Sequence, residues 1–159
     1  MQHLQILAVG KLGERWQAMA TDEYKKRILP YFKLTVTELP ESRLPQNPTP
    51  AQIAQALEGE AASFRKKLPR GAVPVALCVE GEGVSSPELA GWIARAAGES
   101  RTLVFLIGSS YGMSEKLKGE ARHRLSLSAM TFPHQLARVL LCEQIYRCGQ
   151  ILSGGKYHK

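Results

Sequence analysis

The residue types with the widest chemical range gather at the C-terminus, where Tyr157 and His158 stand between Lys156 and Lys159 after a Gly154-Gly155 hinge. An imidazole moves protons near neutral pH, an aromatic ring stacks on a base, and ammonium groups pair with phosphate. Two readings are open for such a tail: a frayed terminus, or a flap that folds over a base. Upstream, Glu143 and Arg147 have the i,i+4 spacing of a helical ion pair, which can be a solvated pair or can aim a guanidinium at phosphate. Arg138 lies nine residues before Arg147, about half a turn around the same helix, so the two do not share a face.

Three small-residue stretches are candidate ligand loops. Gly108-Ser-Ser-Tyr-Gly112 follows an apolar run and precedes a helix start, so its amides can meet the polar groups of a nucleoside-like cofactor or simply make a turn. It has no phosphate-binding lysine, which argues against nucleoside triphosphate hydrolysis. Ser126 to His134 combines hydroxyl and small residues with Met130 and Phe132, apolar surface suited to a purine ring. No G-x-S-x-G elbow accompanies those serines, and hydrolase chemistry is set aside. Gly81-Glu82-Gly83 has a superficial likeness to a dinucleotide fingerprint, but its third glycine is missing and Glu80 and Glu82 would repel a pyrophosphate; a tight turn is the simpler reading. His3, His123 and His134 have no ligand spacing. Cys78, Cys142 and Cys148 are odd in number, lack a CxxC pair and sit in apolar stretches, so reduced core thiols and no metal site are expected.

The elements that must position these groups alternate between strand and helix, the pattern of an α/β domain with a largely parallel sheet. Strands are expected at Leu4–Val9, Lys33–Leu39, Val73–Val79, Leu103–Ile107 and Leu125–Ala129, the third followed by an EGEG turn. Helices are expected over Glu14–Leu29, with Trp16, Met19, Ala20, Tyr24 and Ile28 as its apolar stripe, and over Thr49–Leu68, capped by Thr49 with Pro50 in its first turn. Three more follow: Pro87–Ala97, Ser114–Ala121 and a long Pro133–Leu152. In open α/β sheets ligands bind outside the carboxyl ends of the strands, which marks Gly81–Gly83, Gly108–Gly112 and Ser128–Thr131.

The chain has 159 residues, of which 44% are hydrophobic, enough for one domain with a real core, residues 1–159. No apolar run exceeds five residues, as in Leu103–Ile107, and the N-terminus lacks the order of a signal peptide, so a cytoplasmic protein with no membrane span is expected. The net charge of +7 is uneven: residues 1–100 carry 12 basic and 11 acidic side chains, residues 101–159 carry 9 and 3. That local excess, from Arg122, Arg124, Arg138, Arg147, Lys156 and Lys159 among others, points to a polyanionic partner, nucleic acid first.

The block LSLSAMTFPHQLARVLLCEQIYR with the terminal YHK resembles the RlmH family, SPOUT-class methyltransferases acting on large-subunit ribosomal RNA. The likeness extends to ILAVGKL, EYKKR, the VEG turn and FLIGSSYGMS, and so covers the whole chain. It implies an α/β fold tied in a C-terminal trefoil knot, S-adenosylmethionine as cofactor, and a homodimer that methylates N3 of pseudouridine 1915 in 23S rRNA of the large subunit or ribosome. Carried over by motif, the cofactor contacts are Leu77, Gly108, Leu127, Ser128, Ala129, Met130, Thr131 and Phe132. The resemblance makes His158 the base or the group that positions the uracil, Tyr157 a stacking or hydrogen-bonding residue, and Arg147 a phosphate or carbonyl contact. It also implies that the tail meets the other subunit's cofactor pocket. Many members carry a second glycine where Ser109 stands. The alternatives are a non-catalytic ribosome-binding protein of the same fold, and nicotinamide chemistry at Gly81–Gly83.

Overall fold

A computed structural model describes residues 1–159. Ten elements alternate along the chain: β1 (His3–Val9), α1 (Arg15–Ile28), β2 (Lys33–Leu39), α2 (Pro50–Lys67), β3 (Val73–Gly83), α3 (Ser86–Gly98), β4 (Leu103–Ile107), α4 (Glu115–Glu120), β5 (His123–Ser126) and α5 (His134–Leu152). The strands form one parallel sheet in the order β2-β1-β4-β3-β5. Capping signals act where the sequence places them. Thr49 accepts from the Gln52 N–H while the Gln52 side chain accepts from the Thr49 N–H, and Ser85 and Glu88 repeat this exchange at α3.

Every residue of β4 is buried, because the sheet is covered on both faces. Leu4, Ile6, Phe105 and Ile107 face one layer with Ile93 of α3 and Leu141 and Ile145 of α5. Leu7, Val9, Val104 and Leu106 face the other, with Phe64 of α2 and Leu117 of α4. No helix is long and apolar enough to cross a membrane.

Four expectations change. The last strand is His123–Ser126, not Leu125–Ala129, because its partner is the continuing β3. The EGEG segment is no turn: β3 runs through it to Gly83, and the pairing with β5 shifts register between Leu77 and Glu82. At Gly81 a Cβ would stand 2.8 Å from the Arg124 carbonyl carbon, so the glycine serves close backbone approach at an irregularity. A phosphate-binding turn, and with it nicotinamide chemistry, has no place there. On α1 Ile28 is buried and Tyr24 packs on the core as expected, but at its N-terminal half Gln17 and Thr21 face inward while Trp16 and Met19 are exposed.

Arg138 is the fourth. It leaves the RNA-facing set, being 2% exposed; Nη1 donates to Glu38 Oε2 at 2.7 Å and Nη2 to the Gly10 carbonyl at 3.0 Å. This contact seats the first turns of α5 over the carboxyl ends of β1 and β2.

Candidate functional site

Beyond the carboxyl end of β4 and beside Leu77–Glu80 of β3, the loop that follows β5 closes a cleft of about 1040 Å³. β4 leaves the sheet through a tight turn. The Ser109 N–H donates to the Gly112 carbonyl (3.1 Å), the Gly112 N–H donates back to Ser109 O (2.8 Å), and Gly112 has a φ of +87°. At Gly108 a Cβ would overlap the Gly112 carbonyl oxygen, so only glycine permits this turn.

The opposite wall is the loop 127–133. The Ser126 hydroxyl donates to the Ser128 carbonyl (2.8 Å), and Ser128 Oγ accepts from the Met130 N–H (3.0 Å). These local bonds replace sheet or helix pairing and leave the main chain open to the cleft. Leu77, Gly108, Leu127, Ser128, Met130, Thr131 and Phe132 all line it; Ala129, at the exposed crest of the loop, does not. Tyr111 also lines the cleft, and it and Met130 are both exposed, Met130 to 73%. A second hollow of about 300 Å³ lies on the far side of the same loop, sharing Leu125, Leu127 and Phe132.

His134, at the end of the candidate stretch, also lines the cleft, and so do Glu80 and Lys118, which nothing in the sequence marked as site residues. Lys118 Nζ donates to Glu80 Oε1 (2.6 Å) and Glu115 Oε1 (3.0 Å). Burial works against the ammonium charge, but the two carboxylates outweigh it and hold Lys118 above its ordinary value. The Lys118 hydrogen bond in turn holds Glu80 below the usual carboxylate range. Burial lowers the His134 imidazole.

The C-terminal tail is folded back on α5. Glu143 Oε1 accepts from Arg147 Nη2 (2.6 Å) and Nε (3.1 Å) and from the Tyr157 hydroxyl (3.1 Å). The Arg147 guanidinium lies 4.7 Å from the centre of the Tyr157 ring, which also packs on Tyr146 at 4.7 Å between centroids. Arg147 Nη1 stands 3.3 Å from His158 Nδ1. A guanidinium has no acceptor, so this contact requires an unprotonated Nδ1 and leaves the neutral ring's proton on Nε2. Glu143, which sequence reasoning treated only as the partner of Arg147, is the hub of the cluster.

Arg147, Tyr157 and His158 are thus brought together, but none of them lines the cleft. Arg147 lies 13 residues beyond His134 on α5, about 20 Å along the helix axis. One chain therefore carries the cleft and the tail cluster in two separate places.

A family model described as "Predicted SPOUT methyltransferase" matches residues 2–158. The chain belongs to the SPOUT methyltransferases. Among relatives of this SPOUT chain, the protein named "Ribosomal RNA large subunit methyltransferase H" from Moorella thermoacetica is 40% identical over 160 residues, covering 100% of both chains. Its namesake from Desulforamulus reducens is 41% identical over 160 residues with the same coverage, and that from Clostridioides difficile 38% over 158 residues, covering 99% of both. A crystal structure described as a methylase family protein from Neisseria gonorrhoeae superposes with a TM-score of 0.51 at 11% identity, covering 91% of this chain and 81% of that one, a likeness of fold alone. As a SPOUT methyltransferase the protein needs a methyl donor.

Proposed function

We propose that this protein, a single SPOUT domain, methylates N3 of a pseudouridine in 23S rRNA of the large ribosomal subunit, using S-adenosylmethionine and acting as a homodimer in the cytoplasm. The carrying observation is the end-to-end similarity to relatives named as methyltransferases of large-subunit rRNA. The knotted C-terminal path belongs to the same reading and rests on the family match.

S-adenosylmethionine supplies a methyl group already activated on a sulfonium. The chain's work is alignment and proton control. Leu77, Gly108, Leu127, Ser128, Met130, Thr131 and Phe132 hold the nucleoside, with Ala129 shaping the loop that carries them. N3 of the uracil ring is a nucleophile only as its imide proton leaves, and the charge then spreads onto the ring carbonyls. With Nδ1 facing Arg147, His158 offers Nε2–H to such a carbonyl, which favours the positioning role over that of base, and the N3 proton passes to solvent water as the methyl group leaves the sulfonium for N3. Tyr157, held by Glu143, packs or hydrogen-bonds beside the base; Arg147 keeps the imidazole oriented and adds positive charge. The separation of the tail cluster from the cleft supports a composite site, in which the tail of one subunit closes the cleft of the other.

Incubation with methyl-labelled S-adenosylmethionine and ribosomes lacking the modification tests the reading. Label should enter one pseudouridine of 23S rRNA; label elsewhere, or none, contradicts it. The latter, with rRNA still bound, would favour a non-catalytic ribosome-binding protein.

A further inference from the structure

Lys118 is 9% exposed, an unusual place for an ammonium group. It sits on α4, and with Glu80 it forms part of the cleft wall. Its Nζ carries three donors. Two are used, by Glu80 and Glu115; the third has no protein acceptor. The Glu80 side chain is 51% exposed, and its second oxygen makes no side-chain hydrogen bond. Lys118 is also the only lysine or arginine that lines the cleft. A buried cation with a spare donor, beside a carboxylate with a spare acceptor, is complementary to a zwitterion.

We propose that Lys118 and Glu80 dock the amino-acid end of the cofactor, Lys118 donating to its α-carboxylate and Glu80 accepting from its α-ammonium. This rests on the reading of the cleft as the S-adenosylmethionine site and adds what that reading lacks, a pair that selects nucleosides bearing an amino-acid tail. The adenosine end then lies towards Leu77, Gly108 and Phe132, and the sulfur falls between the two ends. Glu115, on the outer side of Lys118 and 81% exposed, helps keep the lysine charged.

Calorimetric titration with two probes separates the possibilities. S-adenosylhomocysteine has the amino-acid end; 5′-methylthioadenosine has the same adenosine and thioether without it. The wild-type protein should bind the first more tightly. Lys118→Met should weaken S-adenosylhomocysteine binding by about tenfold or more, the loss of one charged hydrogen bond, and leave 5′-methylthioadenosine within about twofold. Glu80→Gln should weaken the first probe severalfold and spare the second. Equal losses for both probes in Lys118→Met would overturn the inference, since the lysine would then only hold the loops in place. No preference between the probes in the wild-type protein would overturn it too, leaving the cofactor cleft intact. A wild-type protein that binds neither probe would overturn the cofactor reading itself.

Discussion

Replacing Arg138 with methionine tests whether α5 is fastened over the sheet as the structure indicates. The guanidinium is almost fully buried, and its loss removes charged hydrogen bonds to Glu38 Oε2 (2.7 Å) and to the Gly10 carbonyl (3.0 Å). Gly10 is buried, so its stranded carbonyl costs about 1–3 kcal/mol. The Glu38 side chain is 40% exposed and returns to water, so that half of the pair is worth only about 0.5–1 kcal/mol. Against this, Arg138 Nε has no partner in the folded state, and the methionine escapes the desolvation of a charge. The balance is a destabilisation of about 2 kcal/mol, or a fall in Tm of about 4–8 °C for a chain of this length. Urea unfolding at fixed protein concentration, with Glu38→Gln and the double variant completing a cycle, gives both the total and the coupling. An unchanged or raised stability in Arg138→Met would refute the reasoning, because the bond to the Gly10 carbonyl would then contribute nothing.

Gly108→Ala should abolish measurable cofactor binding and lower stability, since the added Cβ overlaps the Gly112 carbonyl and the turn must shift; titration with S-adenosylhomocysteine and urea unfolding check it. Glu60 is buried with one oxygen on the Ser42 N–H (2.9 Å) and the other unpartnered, and burial raises its carboxyl above the ordinary 4.5. A raised carboxyl penalises the folded state as pH climbs through that range, so Glu60→Gln should stabilise the protein at neutral pH and lose this advantage below pH 4.5. Burial lowers His123 and His134 below the ordinary 6.5, so the folded state resists protonation and stability should fall as pH drops through that value. His123→Phe, which keeps the stack on Trp92 at 4.0 Å, should flatten the dependence; an unchanged slope between neutral and acid pH would count against it.

The sequence spoke most clearly where one physical demand dominates. Leu103–Ile107 is apolar at every position, as a strand covered on both faces must be, and Lys33–Leu39 and the Thr49 cap also sit where their patterns place them. It was silent where partners are far apart in the chain. Lys118 and Glu80 are 38 residues apart and Arg138 and Glu38 are 100 apart, so no local spacing marks either pair. Gly81 was misleading for a related reason: a glycine in a turn and a glycine under a neighbouring strand's backbone are the same letter. On α1, Trp16 and Gln17 differ by one residue, and packing against α5 decides which faces inward. The candidate loops were legible as strand ends; the packing of the tail on α5, anchored on Glu143 after a positive-φ turn at Gly154 (φ +74°), was not.

The central claim, a site shared between two subunits, is tested most directly with mixed dimers. His158→Ala removes the tail's function, Gly108→Ala removes the cofactor turn, and each homodimer should be inactive in the ribosome methylation assay. Co-expressed at equal levels, the two variants should recover about a quarter of wild-type activity, because half the dimers are mixed and each of these has one intact composite site. If tail and cleft instead act within one chain, no mixed dimer contains a complete site, and an absence of recovered activity would contradict the account.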